Sequence, residues 1–194
     1  IFIAAMPMVS FLTRLNEQMQ LTESLKSIEQ WMQRTEDQAA AATEILLSGR
    51  NAGVLIVNFL LIGVFAALAE EFFFRGVLQQ SFAEMLKNEH GAVWIAAFLF
   101  SAMHLQFYGF LPRLVLGVLL GYLFLYGRNL WLPIAAHFFN NAFTLLVIFF
   151  FGETDFMQRI ENQPLTLEFG CWAAISLIVT LLLFRFYKKR MEDV

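Results

Sequence analysis

Seven side chains interrupt otherwise apolar sequence in the middle of this chain: Glu70, Glu71, Arg75, His104, His137, Asn140 and Asn141. Their surroundings read AEEFFFRG, FSAMH and HFFNN, so carboxylates, a guanidinium, imidazoles and amides stand among phenylalanines and alanines. On a helix Glu71 and Arg75 share one face, four residues apart, where they can pair. Glu70 is turned about 100° from Glu71 and need not share that partner. Phe100 lies one turn before His104. His137 lies one turn before Asn141, whose amide can then orient the imidazole. A base for water, a donor for an oxyanion and an acid for a leaving amine are what hydrolysis of an amide bond requires, and these residue types supply all three. No Ser or Cys stands at a recognisable spacing from a His, so the pattern does not support a covalent nucleophile. The single cysteine, Cys171, opens an apolar run and reads as a packing residue. His90 lies in a polar loop and reads as solvated.

The elements that must carry these groups are membrane spans. The chain has 194 residues, of which 59% are hydrophobic and only 15% charged, against about 25% charged in soluble domains. Phe alone occurs 23 times, and the mean hydropathy is +0.62. Lipid must cover that much apolar surface. A net charge of −3 gives no reason to expect nucleic acid as a partner. Apolar runs fall at 52–69, 92–110, 114–126, 131–151 and 169–187, most of them near the ~20 residues that cross ~30 Å of hydrocarbon. Residues 1–13 read as the end of a truncated span. The fold class expected is all-α, a polytopic transmembrane bundle of about six crossings. The run at 114–126 is short and should begin nearer Pro112, and it carries Gly117 and Gly121 at the GxxxG spacing that lets two backbones approach.

Between the first run and the second, 14–50 is polar, with Leu15, Met19, Leu25, Ile28 and Met32 at helical spacing. It is expected to form an amphipathic extramembrane helix at the membrane surface or on the protein. Residues 51–187 would form the core and 188–194 a short tail. Arg185, Lys188, Lys189 and Arg190 cluster where the last span ends and place the C-terminus in the cytoplasm. Alternating sides backwards puts 153–168 and 14–50 outside and 79–91 inside. With the first helix running on to about Gln79, Glu70 lies roughly 13 Å from its inner end and His137 about 9 Å from Trp131, so the polar groups can meet at one depth. A charge at the bilayer centre costs about 2.5–3.5 kcal/mol even on the lenient scale, so these residues face the bundle interior or a wet cavity. An isolated intramembrane His or Asn serves many proteins as an interhelical hydrogen bond. Six such groups on three helices fit a site better.

The ordered set EExxxR (Glu70, Glu71, Arg75), FxxxH (Phe100, His104) and HxxxN (His137, Asn141) resembles the CPBP group, the CAAX prenyl proteases and bacteriocin-processing enzymes also called the Abi family. The resemblance spans about 52–151 and includes the run NLWLPIAAHFFNN. It implies an intramembrane endopeptidase. Its substrate would be a membrane-associated protein or peptide, prenylated or carrying a bacteriocin-like leader, in the cytoplasmic membrane of a bacterium. It further implies that Glu70 and His137 activate the attacking water, that His104 and Asn141 hold the carbonyl or oxyanion, and that Glu71 and Arg75 brace the site. No cofactor is then required. A zinc ion, if bound, would use Glu70, His104 and His137 as a His₂Glu set, although HExxH is absent. Two other classes compete: a proton-coupled transporter using the same groups as a relay, against which no inverted repeat is seen, and an idle immunity or binding protein on the same fold.

Overall fold

Lipid offers no hydrogen bonds, so each apolar run must satisfy its own backbone, and the helix does so within one segment. The computed structural model describes residues 1–47, 49, 51–152, 154 and 163–193, and every regular element among them is helical. The helices are α1 (Phe2–Glu17), α2 (Lys26–Leu47), α3 (Ala52–Leu86), α4 (Glu89–Met103), α5 (Phe110–Gly127), α6 (Trp131–Phe151) and α7 (Leu167–Glu192). All six expected apolar runs are helical. Four segments are long and apolar enough to cross a bilayer: α3, Phe107–Gly127, α6 and α7. α4 is apolar but has 15 residues, and α1 has 16.

Several boundaries differ from expectation, each for a local reason. The run 92–110 is not one helix. It ends at Met103, Leu105 turns left-handed at φ 54°, and a 3₁₀ turn at Phe107–Gly109 leads into α5. His104 therefore sits at a helix end rather than within a span. α5 starts at Phe110, which leaves Pro112 in the first turn, where a missing N–H costs nothing. The neighbouring Leu111 N–H donates to Asn16 Oδ1 at 2.7 Å, so the end of α1 caps the start of α5. α3 continues past Gln79 to Leu86, and α7 continues to Glu192, so most of the expected tail is helix. Of the loop 153–168, expected outside, residues 153 and 155–162 lie outside the described residues.

Within 14–50, Lys26–Leu47 forms the helix α2 while residues 14–17 belong to the end of α1; Ile28 and Trp31 on α2 are left exposed, as is Leu25 in the turn before it. Glu36 accepts from the Tyr108 N–H at 3.3 Å, and the Leu46 carbonyl accepts from Asn58 Nδ2 at 2.6 Å. These bonds tie α2 to the turn after His104 and to the start of α3. α1 and α7 are joined through a break in α1 beside Pro7: Ser176 Oγ accepts from the Met8 N–H at 3.2 Å and donates to the Ala4 carbonyl at 2.5 Å. A side chain thus replaces a rung of the helix ladder.

α4 and α5 approach most closely. A Cβ at Gly117 would come within 3.1 Å of the Ala97 backbone, and one at Gly121 within 2.9 Å of Val93 Cγ1. The GxxxG spacing marks a real close contact. Gly117→Val should therefore overpack this seam at a cost of about 1–3 kcal/mol and lower the detergent melting midpoint. Gly170→Ala should not, because its nearest neighbour there is the Phe11 ring at 3.8 Å. Equal midpoints for the two variants would refute the tight contact.

Candidate active site

α3 is wound unevenly around its polar residues. Phe59–Phe65 and Phe72–Leu78 are π-helical, and the short α-helical stretch Ala66–Glu71 lies between them. In the π stretches the N–H reaches five residues back, Ala66 to Leu61 and Gln79 to Phe74. Such windings recur at functional sites. Glu70 and Glu71 close the α-helical stretch and Arg75 lies in the second π stretch.

Glu71, Arg75 and Gln79 form a buried stripe facing α5. Arg75 donates through one terminal nitrogen to Glu71 Oε1 at 2.7 Å and through the other to the Gly117 carbonyl at 2.8 Å. One turn on, Gln79 Nε2 donates to the Gly121 carbonyl at 3.1 Å. The glycines leave those carbonyls uncovered, so the GxxxG face serves as an acceptor rail as well as a packing seam. Glu71 is 0% and Arg75 1% exposed. Burial of two charges is costly, and the mutual pair with its extra hydrogen bonds is what offsets the cost.

His137 brings α6 to the same carboxylate. Its Nδ1 lies 2.8 Å from Glu71 Oε1, and because a carboxylate only accepts, that nitrogen carries the proton. Nε2 is left with its lone pair, 3.8 Å from Glu70 Oε2. The expectation that Asn141 orients His137 is corrected here: the stronger, charged acceptor Glu71 holds the ring. Asn141 Nδ2 instead donates to the Ile62 carbonyl at 2.9 Å, in the first π stretch, and its Oδ1 accepts from Asn140 Nδ2 at 3.4 Å. One Asn141 N–H remains uncommitted.

Phe100 joins these parts. It is 1% exposed, and its ring stacks edge-on with Phe74, His104 and His137 at centroid distances of 5.2, 5.1 and 5.7 Å. The Arg75 guanidinium lies over the same ring at 4.9 Å. His104 Nδ1 donates to the Phe100 carbonyl at 2.7 Å, which leaves its Nε2 free. The motif position of Phe100 is visible in sequence, but its role as a shared platform for two imidazoles and a cation is not. Gln79 and the carbonyls of Gly117 and Gly121 were missed, although the spacing 71–75–79 against 117–121 carries the signal.

The structure thus brings all six expected residues around α3, α4 and α6, in two layers. Glu71, Arg75 and His137 are buried. Glu70, with 29% of its side chain exposed, His104 and Asn141 are reachable. Glu70 Oε2 makes no hydrogen bond among the described residues. Among the described residues no three His, Cys, Asp or Glu side chains stand together as a metal ion needs.

Removing the guanidinium should unfold this assembly rather than only slow it. Arg75→Ala strands Glu71 as an unpaired buried carboxylate, and breaking such a pair costs about 3–5 kcal/mol. The detergent melting midpoint should fall clearly; a curve superimposable on wild type would refute the pairing.

Residues 52–143, which contain every residue of the two layers, match the family described as type II CAAX prenyl endopeptidase Rce1-like. The uncharacterized protein YpbD of Bacillus subtilis (strain 168) is 31% identical over 91 residues, a match that covers 45% of this chain and 43% of that relative. The chain is thus aligned with less than half the length of the curated relative it matches. No solved structure matches. Over 52–143, just under half of its length, the chain is similar to the Rce1-like family of type II CAAX prenyl endopeptidases.

Proposed function

We propose that the protein hydrolyses a peptide bond within the membrane, with Glu70 as the base that activates water. The observation that carries this reading is the contrast between the two adjacent glutamates. Glu71 is fully buried and spends Oε1 on both Arg75 and His137, whereas Glu70 keeps 29% of its side chain exposed, has no cation paired to it, and holds Oε2, without a hydrogen bond among the described residues, 3.8 Å from His137 Nε2. A water within about 2.8 Å of both groups would be held by Glu70 and His137 together. Glu70 takes its proton as the oxygen attacks the carbonyl carbon. The spare N–H of Asn141 and, in its imidazolium form, Nε2–H of His104 receive the charge that develops on the carbonyl oxygen. The proton on Glu70 then passes to the leaving amine as the C–N bond breaks. Glu71 and Arg75 act through His137 and touch no substrate.

The substrate is proposed to be a membrane-associated protein or peptide, cut near its C-terminus or after its leader, because Glu70 and Asn141, two of the three reachable groups, lie on spanning helices. A prenylated C-terminus is the version suggested by the family's name. The membrane is proposed to be a bacterial cytoplasmic one, with the basic end of α7 inside.

Glu70→Gln keeps the shape and removes the base. It should cut proteolysis of a cleavable membrane peptide by about 10²–10⁴-fold with an unchanged melting midpoint. Activity above a tenth of wild type would show that Glu70 is not the base. Because no three His, Cys, Asp or Glu side chains among the described residues stand together, activity should also persist after exhaustive chelation, with metal well below one per chain. One zinc per chain, lost together with activity in His104→Ala, would make the protein a metallopeptidase instead.

A further inference from the structure

On the opposite side of α5 from the buried stripe, a groove of about 500 Å³ runs between α1, α4, α5 and α7. None of the candidate active-site residues lines it. Its polarity is graded along the axis. One end is walled by Val115 and Leu177, and the other by Tyr126, Arg185 and Lys188. Leu177 to Lys188 covers eleven residue steps of α7, or about 16 Å. One leaflet contributes about 15 Å of hydrocarbon, half the ~30 Å core. The groove is therefore as long as one leaflet is deep. Leu177 and Leu181 on its rim stay exposed, which leaves a lateral way in from lipid.

Among the described residues the cations at the polar end are only weakly neutralised. Among the described residues no carboxylate pairs with Arg185. Lys188 lies 5.4 Å over the Tyr126 ring and reaches Glu192 only at 3.8 Å, an exposed pair worth little. Two cations at the head of an apolar slot repel a choline or ethanolamine group and attract a phosphate that has no cation of its own. A soluble anion would use only the rim and leave the apolar length unfilled.

We propose that this groove is a binding site for one anionic phospholipid, with an acyl chain along α5 and α7 and its phosphate held by Arg185 and Lys188. Basic recesses between spanning helices bind such headgroups by this chemistry. The site is independent of the peptidase reading and stands or falls without it.

The test is native mass spectrometry of the full chain in nonionic micelles, offered dioleoylphosphatidylglycerol and dioleoylphosphatidylcholine in equal amounts. One phosphatidylglycerol per chain should be retained in preference. Arg185→Gln with Lys188→Gln should weaken retention about thirtyfold, at about a factor of five per cation. Lys189→Gln with Arg190→Gln removes the same charge from residues that do not line the groove, and should leave retention within about threefold. Val118→Trp, in a variant whose melting midpoint matches wild type, fills the slot with the cations intact and should also expel the lipid. Equal retention of both lipids, an equal loss in the 189/190 variant, or no bound lipid because protein fills the groove would each overturn the proposal.

Discussion

The ion pair between Glu71 and Arg75 is the constraint from which the rest of the bundle follows. Two charges at 0% and 1% exposure are tolerated in lipid because they offset each other and take further hydrogen bonds, although Glu71 Oε2 and Arg75 Nε have none among the described residues. Arg75 obtains its second acceptor only if a backbone carbonyl comes close, and that requires α5 to present glycine at 117. Its flat face needs a ring, which α4 provides in Phe100. The same oxygen of Glu71 that takes Arg75 also takes the imidazole N–H of α6. One pair therefore dictates the neighbours of α3 on three other helices, and it fixes His137 as a by-product of its own satisfaction.

The same arrangement divides electrostatic labour between adjacent residues. Glu71, Arg75 and a neutral His137 sum to zero charge in the dry interior, where any imbalance would be magnified by the low dielectric. Glu70 has no such cation beside it, and 29% of its side chain stays exposed. Rigidity and reactivity are thus separated by a single step along the helix.

Much of this was legible in the sequence, because lipid imposes strong rules. Hydropathy located the six helical runs, and the four-residue spacing of Glu71 and Arg75 announced their bond. The spacing of Gly117 and Gly121 announced the seam with α4. Three things were hidden. The break after Met103 depends on Leu105 adopting a left-handed backbone, which no hydropathy window registers and which leucine rarely accepts. The orienter of His137 was misread as Asn141, since spacing along one helix cannot weigh a competing acceptor on another. The role of Gln79 depended on a carbonyl that exists only once α5 is docked.

The uneven winding of α3 has an angular consequence. In a regular α-helix, residues eight positions apart are offset by about 80° around the axis. Glu71 and Gln79 would then point toward different neighbours. Between them lies Phe72–Leu78, where hydrogen bonds span five residues and each residue turns the chain through fewer degrees. The wider coil cancels the drift, and Glu71, Arg75 and Gln79 stay in phase along two turns of α5. Glu70, one residue earlier, is for the same reason kept out of phase with all three. The pitch of the helix, more than the identity of any one side chain, holds the neutral stripe and the charged carboxylate on separate faces.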